Sequence, residues 1–366
     1  MARKRNTYSK SNELLCELQK KLNWNLSRLK FLAFFIIALS TVMTVSFTQI
    51  AKAFEGKAKK DSKVRKIQRF VSDFELDYLQ WAVFLVDIIQ IEPPFRLLID
   101  RTNWQFGSFD INILMISIAH KKIAVPVLFI LLDNKGGNSK TYHRTLLMDR
   151  FIQLFGIENI EYVAADREFI GKEWIEYFQA KKIRFYIRIK ENAIVSKTTK
   201  KKAKDWFSDI NINEAKWLPK AQNIYGCKVN VCGLRKLTER ANNKKEEEYV
   251  IIISLKFDYQ ALEKYKVRWE IETMFRAFKT HGFNIEDTNL QEIDKVKKLV
   301  ALVSLAFCWC YLIGILEIKS GKSIPIRKHG RPQYTIFYYG LELLNEALLQ
   351  NDTQTVIKYV KFLSYT

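Results

Sequence analysis

The amino-acid sequence predicts an α/β fold: a mixed sheet flanked by helices, with a β-rich insertion and an α-helical N-terminal domain. Three observations point there. Apolar runs of strand length gather between residues 95 and 190, three in succession and then alternating with helical periods. Charged turns and further strand-like runs break that rhythm between 196 and 256. The chain ahead of residue 75, and most of it beyond Tyr259, has helical texture.

In chain order, Phe31 to Phe47 is a nearly unbroken apolar run. Thr48 to Phe54 reads as a short amphipathic helix, EGKAKKD as a turn, and Ser62 as the cap of a second helix, KVRKIQRF. Helix, turn and basic helix fit a helix-turn-helix, a pattern that many helical hairpins share. Lys63, Arg65, Lys66 and Arg69 are its candidates for DNA contact. Residues 1–75 are thus a helical N-terminal domain and candidate DNA-binding module. Residues 76–94 connect it to the rest, and Glu92-Pro93-Pro94 closes the connection.

Strands are expected at Phe95–Asp100, Asn112–His120 and Val125–Leu132. A helix follows from Lys140 to Phe155, stopped by Gly156. Ile160–Ala165 is a strand leading into Asp166, Gly171–Lys181 a helix, and Arg184–Lys190 an alternating, half-buried strand. The insertion, 196–256, carries a basic loop (SKTTKKKAKDW), strands at Lys228–Leu234 and Tyr249–Leu255, and a charged turn (RANNKKEEE) between them. Helices then run from Tyr259 to Lys279 and from Glu292 to Leu316. A tail, 321–366, turns helical again from Leu341. The catalytic domain is accordingly expected at 95–195 and 257–320.

The composition narrows the function. Of the 366 residues, 48% are apolar, which supports a buried core and excludes a disordered chain. The net charge of +21 calls for a polyanionic partner, either nucleic acid or an anionic membrane surface. Five cysteines without framework spacing indicate reduced thiols in a cytoplasmic protein, and four scattered histidines argue against a zinc site. The runs at 31–47 and 299–316 (LVALVSLAFCWCYLIGIL) approach the length of a membrane span, each with lysine or arginine at a flank. Helices buried in a large core also read apolar all round. That reading is adopted, because the basic charge is spread along the chain instead of gathering in short loops.

Asp100 and Asp166 each end a predicted strand, where α/β sheets open onto a ligand crevice. Carboxylates from neighbouring strands can share two Mg²⁺ or Mn²⁺ ions and so serve phosphoryl transfer. An Asp after a strand is also a common turn or cap residue, so position alone leaves both readings open. The helix reading YKVRWEIETMFRAFK from Tyr265 adds a third acid. At about 100° per residue, Tyr265, Arg268, Glu272 and Lys279 fall near 0°, 300°, 340° and 320°. Val267, Ile271, Met274, Phe275 and Phe278 make the adjoining apolar face, and Glu270, near 140°, points elsewhere. The stripe therefore selects Glu272 over Glu270, while a solvated face with an Arg268–Glu272 pair would look the same.

Tyr265-(2)-Arg268-(3)-Glu272-(6)-Lys279 matches without a gap the YREK signature of the transposases of the insertion-sequence-four family. The segments IDRTNWQFG around Asp100 and AADREFIG around Asp166 resemble that family's two aspartate blocks. The resemblance spans roughly Phe95 to Leu316. It implies an RNase H-like core, a β-rich insertion before the glutamate helix, and Asp100, Asp166 and Glu272 as a DDE triad holding two Mg²⁺ ions, for which Mn²⁺ can substitute. It also implies that Tyr265, Arg268 and Lys279 touch DNA phosphates. The partners would be terminal inverted repeats and target DNA, bound by a homodimer, with no small-molecule substrate and no membrane. Second-strand cleavage through a hairpin would let Trp206 or Trp217 stack on a flipped base. Arg101 and Arg167, beside the aspartates, would support the site or contact phosphate, or simply form salt bridges. The alternative is an RNase H-like nuclease or an inactive DNA-binding relic.

Overall fold

Ahead of the first strand the chain is helical: α1 (Lys10–Lys21), α2 (Leu26–Val42), α3 (Phe47–Ala53), α4 (Lys60–Asp73) and α5 (Tyr78–Ile89). The computed structural model describes residues 10–54, 56–106, 109–132, 139–195, 201–239, 245–328 and 330–363. The start of the expected basic loop (196–200) and of the charged turn (240–244) lies outside them. Local chemistry sets the helix starts. Asn25 caps α2 by accepting from the Arg28 N–H, and Asp77 caps α5 by accepting from Leu79 and Gln80. Ser62 does not cap α4, as the sequence suggested. The helix begins two residues earlier, with Asp61 in its first turn, where a carboxylate favours the helix dipole.

The strands are β1 (Phe95–Phe106), β2 (Phe109–His120), β3 (Ile123–Leu132), β4 (Ile160–Ala165), β5 (Phe185–Ile189), β6 (Ala215–Trp217), β7 (Gln222–Ile224), β8 (Cys227–Glu239) and β9 (Lys245–Ser254). Among the described residues they form one sheet in the order β3-β2-β1-β4-β5-β9-β8-β6, with β7 paired to β8. β1, β4 and β5 run parallel, while β9 is antiparallel to β5 and β8 antiparallel to β9. The β-rich segment therefore extends the sheet, because β9 takes the free edge of β5. Helices α6 (Thr141–Phe155) and α7 (Lys172–Lys181) pack on each other, α6 also on β3 and α7 on β8. Trp174, Phe178 and Phe185 are fully buried there.

Beyond β9 come α8 (Ala261–Lys266), α9 (Trp269–Lys279), α10 (Ile293–Lys319), α11 (Ile336–Leu349) and α12 (Thr353–Lys361). The chain divides into two compact units. One comprises Glu92–Thr102 and Ile113–Thr273, with the sheet; the other comprises Met1–Ile91, Asn103–Asn112 and Met274–Thr366. In the helical unit α10 is the central element, packed against α2, α4, α5 and α11. It is long and apolar enough to cross a membrane, and 89% of its most apolar window is buried within the protein. The Trp81 indole donates to the Ala301 carbonyl and the Trp309 indole to the Tyr359 carbonyl, each at 3.2 Å. Such specific partners for buried polar groups are what a packed interior requires. The segment 76–94, expected as a connection, contains α5, which is part of this same helical core.

Candidate active site

Parallel pairing sets the two aspartates side by side. β1 and β4 stay in register up to Ile99 and Ala165, and Asp100 and Asp166 are the next residue on each strand. β4 ends there in a turn, with the Phe169 N–H on the Asp166 carbonyl at 2.9 Å. β1 continues to Phe106 beside β2, so Asp100 lies inside a strand and not at its end. What ends at Asp100 is the pairing with β4. Among the described contacts, neither side chain caps a helix. Asp100 accepts the Arg101 N–H at 2.7 Å, and Asp166 accepts the Tyr265 hydroxyl at 3.3 Å.

The third acid arrives on a helix that is broken where the sequence predicts continuity. α8 ends at Lys266, and α9 starts at Trp269. Between them the backbone tightens: Arg268 N–H bonds the Tyr265 carbonyl at 3.0 Å, and Ile271 N–H bonds the Arg268 carbonyl at 3.1 Å. These bonds span three residues, a spacing that eclipses side chains i and i+3. Tyr265 and Arg268 are thereby superposed more closely than a regular α-helix allows, and Arg268 Nε donates to the Tyr265 hydroxyl at 3.1 Å. The same guanidinium reaches Asp100 Oδ2 at 3.2 Å and Glu272 Oε1 at 2.6 Å. One arginine and one tyrosine thus tie together Asp100, Asp166 and Glu272.

The charges are strongly coupled. Burial pushes the Asp100 carboxyl up to about 7, against the pull of Arg268 and the Arg101 N–H, and Asp166 adds to the rise. Burial opposes the charge on Arg268, but Tyr265, Asp166, Glu272 and Asp100 outweigh it and hold the guanidinium above its ordinary value. Burial also raises the Tyr265 hydroxyl, which keeps it protonated as a donor to Asp166. Glu270 is engaged elsewhere. Burial pushes it up to about 7, and it accepts backbone N–H bonds at Lys122 and His120, in the turn between β2 and β3.

The donor set of three carboxylates, without sulfur or imidazole, has the hardness that Mg²⁺ or Mn²⁺ demands. Among the described residues no three such groups close around a single point. The local cause is visible: the Arg268 guanidinium stands between Asp100 and Glu272. The donor chemistry of these residues suits a hard divalent ion, and in this structure an internal cation bridges two of them.

Lys279 belongs to the helical unit, where it pairs with Glu286 at 3.0 Å. Arg101 forms a two-pronged bridge to Glu168, at 3.1 and 3.0 Å, and Arg167 is exposed. In the helical unit Lys63 is drawn to the Phe54 carbonyl at 2.5 Å, while Arg65, Lys66 and Arg69 are exposed. Lys66 and Arg69 line a cleft of about 580 Å³ together with Arg28, whose guanidinium lies over Phe70 and Phe74. Trp206 is half-buried with the Lys201 ammonium over its ring, and Trp217 donates to the Asp258 carbonyl at 3.0 Å.

Three contributors escaped the sequence reading. Glu168 links the loop after β4 to β1 through Arg101. Arg144, on α6, is buried and donates to the Ser139, Glu168 and Ile170 carbonyls, fixing the same loop. Trp269 is 53% exposed and lines a cavity of about 310 Å³ with Tyr265 and Arg268. The only sequence signal was the arginine that follows each aspartate. Arg101→Lys keeps the charge but loses the two-pronged geometry. It is expected to lower divalent-metal affinity by about 10-fold, measured by Mn²⁺ titration, and unchanged affinity would show that the bridge does not set the aspartates.

Three carboxylates linked through one arginine and one tyrosine beside a mixed α/β sheet, in a chain of net charge +21, suit a protein that acts on a polyanion. The model of the transposase DDE domain matches residues 95–309, more than half of the chain, and the chain belongs to that family. A search of the curated proteins finds no match. Membership makes the protein a transposase in the general sense, a nucleic-acid-processing enzyme with DNA as its partner. DDE domains generally use divalent metal ions.

Proposed function

We propose that the chain is a transposase of the insertion-sequence-four type, which cleaves the ends of its element and joins them to target DNA from an RNase H-like core. The observation that carries this reading is the Arg268–Tyr265 network, which joins residues of the YREK spacing to both aspartates. The strand order supports the core assignment, with β1, β4 and β5 parallel and β2 and β3 outside them.

In this reading Asp100, Asp166 and Glu272 hold two Mg²⁺ ions, or Mn²⁺ in their place. The chemistry such ions supply when bound is activation of a water or 3′-hydroxyl and neutralisation of the leaving oxygen. Arg268 offers a planar fork to a phosphate, Tyr265 a hydroxyl and Lys279 a point charge. Trp269 is better placed than Trp206 or Trp217 to stack on an unstacked base, since it is the exposed indole beside Tyr265 and Arg268. Paired element ends would be held by a homodimer.

The test is incubation of the purified protein with DNA carrying the element ends and Mg²⁺, followed by assay for nicked and joined products. Both products support transposition. Nicking without joining favours the alternative of a nuclease, and neither product, with DNA binding intact, favours an inactive relic.

The exposed face of α4 supplies the proposed contacts of the helical unit. Among the described residues no ion pair engages Arg65, Lys66 or Arg69. Lys66→Ala and Arg69→Ala are each expected to weaken binding similarly on any sequence and to reduce the slope of log affinity against log salt by about 1. Fluorescence anisotropy at several salt concentrations measures this. Lys63→Ala should change the slope less, because its ammonium is held by the Phe54 carbonyl.

A further inference from the structure

The Arg268 guanidinium spends all three of its nitrogens inside the acid cluster. Nε donates to the Tyr265 hydroxyl at 3.1 Å, Nη1 meets Asp100 at 3.2 Å, and Nη2 meets Glu272 at 2.6 Å. Its side chain is only 4% exposed, against 31% for that of Glu272. Through the tyrosine, which donates onward to Asp166, the network touches every acid of the triad. Asp166 opposes the charge on the buried Asp100, and a cation held between Asp100 and Glu272 relieves such repulsion within the network. A divalent ion bound by the same oxygens would do so more strongly. It could not share the space with the guanidinium, because like charges at such a distance in a poorly solvated site repel strongly.

The arginine also has somewhere to go. Its side chain forms part of the wall of the 310 Å³ cavity, beside the Trp269 ring, which lies 5.4 Å from the guanidinium carbon. Arg188, Lys236 and Lys266 are on the same wall, the first two paired with Glu248 and the third with Glu263. A guanidinium released there would have lost its carboxylate partners, and a DNA phosphate is the anion that the reaction brings.

We propose that Arg268 is an internal counter-ion that holds the triad until a divalent ion displaces it, and that its release into the cavity makes it available to a DNA phosphate. Metal and DNA would then bind with positive coupling, each favouring the other by the same factor. This rests on the reading of Asp100, Asp166 and Glu272 as metal ligands. Arg268 acts here as a positioning residue toward the acids and as a binding residue toward DNA.

The experiment uses the full chain, Mn²⁺ alone followed by electron paramagnetic resonance, and Ca²⁺ with a DNA duplex followed by anisotropy. The wild type is expected to bind DNA about 10-fold more tightly with Ca²⁺ than without. Arg268→Ala is expected to bind Mn²⁺ about 10-fold more tightly than the wild type, since no guanidinium must leave, and its DNA affinity should respond little to Ca²⁺. Tighter metal binding is a gain that a damaged fold would not produce. Arg268→Lys, which keeps the charge but cannot span two carboxylates, should fall between the two. Equal or weaker Mn²⁺ binding by Arg268→Ala overturns the proposal. Should the wild type bind no Mn²⁺, or Asp166→Ala bind it as well as the wild type, the assignment of the triad fails instead.

Discussion

Asp166→Ala is expected to lower Mg²⁺-dependent DNA cleavage by about 10³-fold or more. Asp166 follows the last paired residue of β4, and its Oδ1 takes only the Tyr265 hydroxyl among the described hydrogen bonds. Among the described residues its side chain caps no helix and anchors no turn. The substitution therefore removes a charge from the site and leaves the pairing of β4 with β1 and β5 intact. Single-turnover cleavage measures the loss, and circular dichroism with the unfolding midpoint verifies that the fold survives. A variant that cleaves at the wild-type rate would show that Asp166 takes no part in the chemistry.

Gly340→Val is expected to cost about 3 kcal/mol of stability or more in the helical unit. α10 and α11 approach backbone to backbone at Gly340. A Cβ there would run into the Cys310 carbonyl and the Gly314 nitrogen, and one at Gly314 would run into the Ile336 carbonyl. These obstacles are main chain and cannot rotate away. A glycine inside a helix costs up to about 1 kcal/mol relative to alanine, so its presence on both helices is offset only by the close contact it permits. Urea unfolding reads the effect. An unchanged midpoint would mean that the helices do not cross this closely.

Some of this architecture was legible in the residues. Apolar runs that stop at a carboxylate gave β4 with its limits, and the difference of two positions on a helix separated Glu272 from Glu270. The rest was hidden for physical reasons. DRTNWQF after Ile99 alternates too weakly to read as strand, so β1 looked shorter than it is and Asp100 looked terminal. The sequence from Tyr265 to Lys279 contains no glycine or proline, so nothing announced the break at Val267–Arg268 that aligns Arg268 with Tyr265. An all-round apolar helix such as α10 announces burial but not its neighbours, and those proved to come from both ends of the chain. Arg144 and Glu168 act through backbone carbonyls and a long-range bridge, which no local pattern encodes.

In the proposed function Glu272 completes a metal-binding triad with Asp100 and Asp166. The most direct measurement compares Mg²⁺-dependent DNA cleavage and DNA binding for wild type, Glu272→Gln and Glu270→Gln. Both substitutions are nearly isosteric, two residues apart on one helix, and each removes one carboxylate charge. Cleavage is expected to collapse in Glu272→Gln with DNA binding retained, while Glu270→Gln, whose carboxylate faces the turn between β2 and β3, stays active. Equal cleavage by Glu272→Gln and wild type would reduce Glu272 to an ordinary ion-pair partner of Arg268.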